Sequence, residues 1–117
     1  MIACLDARMG EVYLAAYRDG EEVSAPGLYA PREVPPLEGS WTGAGSGFAA
    51  YGDGLSSVYG AQLGRVRPEV APTADAVLRL ARGRFDRGEA RDAATAVPIY
   101  LRDKVALKTS ERRKSDT

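Results

Sequence analysis

The chain has no histidine, and its only cysteine is Cys4. Without histidine there is no imidazole metal ligand, no Ser-His or Cys-His nucleophile and no His acid–base pair. One cysteine excludes an internal disulfide and a cysteine zinc cluster. No run of the sequence approaches the roughly 18 apolar residues of a membrane span. The opening MIACLDARMG lacks a basic leader region, and Asp6 breaks its apolar run, so it does not read as a secretory signal. Neither sign of charge dominates, because 16 Lys and Arg balance 16 Asp and Glu. That balance removes any global pull toward nucleic acid or an anionic membrane. A cytoplasmic location without membrane contact is the expectation.

What is present suits one domain. The chain has 117 residues, of which 44% are hydrophobic and 27% charged, enough to bury a core without disulfides. Residues 1–5 form a short apolar run, and residues 6–10 a polar connection ending in Gly10. From Glu11 to Arg18 the residues alternate, with Val12, Leu14 and Ala16 on one face and Tyr13, Ala15 and Tyr17 on the other. Both faces are largely apolar, which predicts a strand covered on two sides. Asp19-Gly20 is a turn signal, and residues 21–25 are predicted to return as a third antiparallel strand.

Four prolines between residues 26 and 39 limit regular structure there to one turn near Pro31. A short strand with Trp41 follows, then Gly43-Ala44-Gly45-Ser46-Gly47, then a short helix from Phe48 that Gly52 and Gly54 interrupt. Residues 65–70 are a candidate edge strand. The clearest helix starts at Thr73, a good N-cap, with Asp75 in its first turn. Ala74, Val77, Leu78, Ala81 and Phe85 share one helical face, and Gly88 is a stop. Residues 97–101 read as a short extended segment, and residues 109–117 as a polar, disordered tail. The order is β-β-β followed by α, β, α, β, α. It predicts a mixed α/β sheet, three antiparallel strands leading into alternating helices and strands, compatible with a ribonuclease-H-like layout.

Several features carry alternative readings. A strand, a glycine-rich turn and a helix N-terminus can make an anion site, which makes Gly43, Gly45 and Gly47 candidate nucleotide-binding residues. The same turn lacks G-x-G-x-x-G and the Lys-Ser/Thr of a P-loop, and a tight strand-to-helix turn explains it equally. Cys4 lies in an apolar strand, where a buried structural thiol competes with a reactive one. Asp6, Glu11 and Asp53 have no spacing that requires them to meet. Arg79, Arg82, Arg84, Arg87 and Arg91 form a basic stretch interleaved with acids, read as a solvated face or a minor nucleic-acid contact.

Three segments together resemble one family. CLDARMGEVYLAAY resembles the middle of the TsaB (YeaZ) proteins, where a strand ends in D-A-R-x-G-E-V-Y. WTGAGSGF resembles that family's later strand and glycine turn, and PTADAVLRLA with PIYLRDKVA its closing helix and P-x-Y-L-R signature. The resemblance covers residues 2–108 and implies the second of two ribonuclease-H-like lobes of the actin and sugar-kinase group. On that basis residues 1–108 are expected to be a C-terminal lobe lacking its first lobe, with Met1 an artificial start.

The resemblance further implies a non-catalytic partner of the TsaD transferase in threonylcarbamoyladenosine modification of tRNA, working with the ATPase TsaE. Contact with tRNA would come only through the complex. Some related proteins are described as glycopeptidases, yet no usual metal or activated nucleophile is visible here, so no enzyme activity is expected. The chief TsaD contact is attributed to the first lobe, so this chain alone is expected to bind TsaD weakly and to be a monomer or weak homo-oligomer. No cofactor is expected in the chain, with ATP or ADP belonging to the full assembly. The alternative is a degenerate nucleotide-binding module using the turn at residues 43–47, helped by Arg8. That arginine stands where nucleotide-binding relatives carry a glycine-rich phosphate hairpin.

Overall fold

The computed structural model describes residues 1–102, so the expected tail at residues 109–117 lies outside the described residues. Five strands form one sheet: β1 (Ile2–Asp6), β2 (Val12–Arg18), β3 (Glu21–Tyr29), β4 (Trp41–Ala44) and β5 (Leu63–Arg67). Their order is β3-β2-β1-β4-β5. β1 pairs antiparallel with β2, and β2 with β3. On its other edge β1 pairs in parallel with β4, and β4 with β5. The sheet is therefore mixed, and β1 is the strand where antiparallel pairing gives way to parallel.

β2 alternates as predicted, but the expected cover on two sides is incomplete: on the second face Ala15 is buried, Tyr13 half-buried and Tyr17 exposed. Val12, Leu14 and Ala16 are fully or almost fully buried on one face. They join Ile2, Cys4, Trp41, Phe48, Leu55 and Tyr59 in the core. β3 runs past the expected end at residue 25, through Pro26 to Tyr29. An edge strand tolerates proline, and Pro26 falls in a register shift between Leu14↔Gly27 and Ala16↔Ser24.

Two helices cover the core face: α1 (Ser46–Ala50) and α2 (Gly52–Tyr59). The sequence predicts an interruption at Gly52 and Gly54; the break falls at Tyr51, between α1 and α2, and α2 then starts at Gly52 and runs through Gly54. An interior glycine such as Gly54 costs about 1 kcal/mol relative to alanine. Complete burial of Leu55 and near-complete burial of Tyr59 offsets that cost. Gly54 also allows close approach, because a Cβ there would stand 2.8 Å from Pro31.

The proline-rich segment before β4 has few backbone partners, so side chains supply them. Tyr59 donates its hydroxyl to the Pro35 carbonyl at 2.9 Å, and the Trp41 indole donates to the Glu38 carbonyl at 2.8 Å. The Gln62 amide donates to the carbonyls of Leu37 and Gly39 at 2.7 and 2.9 Å. Arg18 stacks 4.0 Å above the Trp41 ring.

The last helix, α3 (Ala74–Asp86), begins as its cap dictates: the Thr73 hydroxyl accepts from the Ala76 amide at 3.1 Å. Its apolar face departs from expectation. Val77, Leu78 and Phe85 are 61%, 69% and 70% exposed, so the stripe packs on nothing in the sheet. The predicted extended segment at residues 97–101 forms no strand among the described residues, and Val97, Ile99 and Tyr100 are exposed. The expected alternation of helix and strand thus stops at β5 and α3. No described helix is long and apolar enough to cross a membrane.

Candidate functional site

Because β1 and β4 run parallel, with Ile2 opposite Gly43 and Ala3 opposite Ala44, their C-terminal ends lie at the same end of the sheet. The connection after β1 and the glycine turn after β4 are neighbours there. The Asp6 amide donates to the Ser46 hydroxyl at 3.0 Å and ties the two together. The candidate binding residues lie here: Arg8 on the first loop, Gly45 in the second, Gly43 just before it in β4 and Gly47 just after it in α1.

The first loop is a tight left-handed turn. Arg8, Met9 and Gly10 have φ of 62°, 55° and 76°, a region that only glycine enters freely. Asp6 stabilises it, its carboxylate accepting the Arg8 amide at 2.9 Å. The Ala7 amide donates to the Glu11 carbonyl at 2.9 Å, and the Glu11 amide to the Arg8 carbonyl at 3.1 Å. Arg102 reaches the turn from the far end of the chain. Its guanidinium donates to the Ala7 carbonyl at 2.9 Å, the Arg8 carbonyl at 3.3 Å and the Glu11 carboxylate at 3.0 Å. A phosphate cradle presents N–H groups; this turn presents carbonyls, to an internal cation.

The second loop is shaped by crowding. Gly45 has φ 119°, and a Cβ on it would overlap the Cys4 carbonyl oxygen. A Cβ on Gly47 would overlap the Cys4 sulfur, and one on Gly43 would stand 2.5 Å from the Phe48 ring. Gly45 and Gly47 let the β4–α1 turn press onto β1, and Gly43 makes room for the Phe48 ring of α1. The Gly45 amide donates to the Arg67 carbonyl at 3.1 Å, and the Phe48 amide to the Gly45 carbonyl at 3.2 Å. α1 has five residues, so little dipole accumulates at its start.

Cys4 lies under this turn, fully buried. Burial pushes its thiol up to about 12, far from the thiolate range a nucleophile needs. Burial first, then Cys4 and Tyr29, push the Tyr59 phenol up to about 12. The three carboxylates do not converge: Asp6 accepts a turn amide, Glu11 pairs with Arg102 and Asp53 occupies the first turn of α2. In the basic stretch, Arg79 pairs with Asp75, while Arg84 and Arg87 approach Glu89. Among the described residues no three His, Cys, Asp or Glu side chains are grouped for a metal ion. A separate open cleft of about 700 Å³ lies between Pro31–Glu33 and the α1–α2 elbow, and shares no lining residue with the two loops.

Sequence reasoning missed Arg102 as part of this site. Its only signal was its place at the end of the P-I-Y-L-R segment.

The curated tRNA threonylcarbamoyladenosine biosynthesis protein TsaB of Escherichia coli (strain K12) is 37% identical over 118 residues, covering 92% of this chain and 50% of that protein. Over that half, the chain is similar to the TsaB/YeaZ proteins in sequence and in fold. It spans about half the length of the relatives it matches. YeaZ from Pseudomonas aeruginosa shares its fold with a TM-score of 0.63 at 29% identity, over 86% of this chain and 48% of that one. A second structure, described as an uncharacterized protein with similarity to peptidase YEAZ from the same organism, gives 0.65 at 29% identity over the same shares. No family model matches the chain. Against that family frame, the D-A-R-x-G-E-V-Y residues are the left-handed turn and start of β2, and the glycine motif is the β4–α1 turn. The Arg of P-x-Y-L-R closes on the first of these from a sequence distance of 95 residues.

Proposed function

We propose that this chain serves tRNA threonylcarbamoyladenosine biosynthesis as a non-catalytic, ribonuclease-H-like lobe of the kind found in the second half of TsaB. The match to TsaB across 92% of the chain carries this reading. Its work is scaffolding: it contributes to a TsaB-type protein that holds a TsaD-like transferase in a competent arrangement, with a TsaE-like ATPase in the same assembly. tRNA is met through that assembly.

The state of the potential reacting groups supports a non-catalytic role. The one cysteine is buried and its thiol is held in the neutral form by desolvation. The glycine turn fits a structural role, since the Gly45 amide is engaged by Arg67 and the three glycines contact Cys4 and Phe48. On this reading nucleotide belongs to the assembly and not to residues 43–47.

A chimera tests the proposal. Residues 1–108 replace the matched half of E. coli TsaB, and modified adenosine is measured in tRNA with TsaD, TsaE and the activated threonylcarbamoyl donor supplied. The chimera is expected to support modification that depends on TsaD. A folded chimera that fails where intact TsaB succeeds overturns the scaffold role. Modification by this chain without TsaD overturns the non-catalytic one. In titration, the chain alone is expected to bind TsaD more weakly than micromolar.

A further inference from the structure

Residues 68–101 leave the sheet after β5 and return to it at Arg102. Between residues 71 and 101 no described hydrogen bond or ion pair reaches a strand. Along this stretch α3 stands with its apolar residues exposed, and so do Val97, Ile99 and Tyr100. The Arg102 side chain, by contrast, is only 12% exposed.

The turn it grips is one that side chains disfavour. Arg8 and Met9 both have left-handed backbones, so the turn needs an external reason to hold that form. Arg102 supplies one. It donates to the carbonyls of Ala7 and Arg8 and to the Glu11 carboxylate, and its Nη1 lies 3.6 Å from the Met9 sulfur. A planar guanidinium fork satisfies several acceptors at fixed angles, which an ammonium does not.

We propose that Arg102 is a latch, which closes residues 68–101 into a strap and holds the turn at residues 7–11 in its left-handed form. The latch goes beyond the scaffold role and does not rest on it. Its two ends are β1–β2 and a segment 95 positions away, so it forms only once both are in place. Through the Asp6–Ser46 hydrogen bond it also bears on the glycine turn.

Hydrogen exchange on the full chain tests it, comparing Arg102→Gln and Arg102→Lys with the parent. In Arg102→Gln the amides of Ala7 and Glu11 are expected to exchange about tenfold faster while those of Leu14 and Ala16 keep their protection, as local opening requires. Lysine should recover only part of the protection. A nitroxide on Ile99→Cys reads the strap, since three residues place it within about 11 Å of Arg102. It should broaden the Met9 and Gly10 amides in the parent and lose that effect in Arg102→Gln. Unchanged exchange at Ala7 and Glu11, or equal acceleration throughout β2, overturns the latch. If Arg102→Gln does not fold, Glu11→Gln removes one acceptor charge and must still accelerate the same two amides; no change there overturns the proposal as well.

Discussion

Gly47 faces Cys4 so closely that a Cβ on Gly47 would overlap the Cys4 sulfur. The glycine-rich turn is thus read first as a packing device, joining the start of α1 to the middle of β1. Gly47→Ala is expected to lower stability by about 1–3 kcal/mol, the usual cost of overpacking a core. Adding Cys4→Ala removes the colliding sulfur, though the Cys4 carbonyl stays 3.1 Å from the new methyl. Urea unfolding of both singles and the double should give a coupling of the rescuing sign. Additive losses would show that the two residues do not share one space.

Stability should fall at alkaline pH. Burial pushes the Cys4 thiol and the Tyr59 phenol up to about 12 in the folded chain, from ordinary values of 9.0 and 10.0. A group whose folded value is raised leaves stability intact below its unfolded value. Above it the unfolded chain loses a proton that the folded chain keeps, so stability declines. The thiol contribution should set in above pH 9 and the phenol contribution above pH 10, both growing toward 12. Urea midpoints at pH 8 and pH 10.5 should show a smaller drop in Cys4→Ala than in the parent. Thiol reagents should modify Cys4 only as the chain unfolds.

Millimolar ATP or ADP is expected to leave the melting temperature of the chain unchanged. The Gly45 amide is engaged by Arg67, and the Asp6–Glu11 turn presents carbonyls to Arg102. A reproducible upward shift, lost when Arg8 is replaced by alanine, would favour the nucleotide-binding alternative for these two loops.

Substitution on α3 and on α2 should differ sharply in cost. Phe85 is 70% exposed and Leu55 fully buried. Phe85→Asp should change the unfolding free energy from urea titration by no more than about 0.5 kcal/mol, as surface changes do. Leu55→Ala should cost about 2–5 kcal/mol. Because the α3 stripe is apolar and uncovered, Phe85→Asp should also reduce any concentration-dependent self-association seen by light scattering.

Much of the sheet was legible locally. The alternation in residues 11–18, the Asp19-Gly20 turn and the Thr73 cap each depend on neighbours within a few positions, and each forms as its chemistry dictates. The errors came where distant contacts override local preference. α2 carries Gly54 in its interior, yet it persists because Leu55 and Tyr59 find a sheet to bury against. The periodicity of α3 showed an apolar face but could not say what lies opposite it.

Composition alone settled that these 117 residues supply no imidazole, internal disulfide or cysteine cluster, because a missing residue type cannot be restored by folding. Motif order pointed to the family. Only the tertiary structure decided that the glycines at 43, 45 and 47 are spent on Cys4 and Phe48, and that Arg102 closes on a turn near the other end of the chain. The reason is physical. Backbone and turn preferences act over a few residues, whereas close approach and hydrogen bonding depend on which strands the sheet sets side by side.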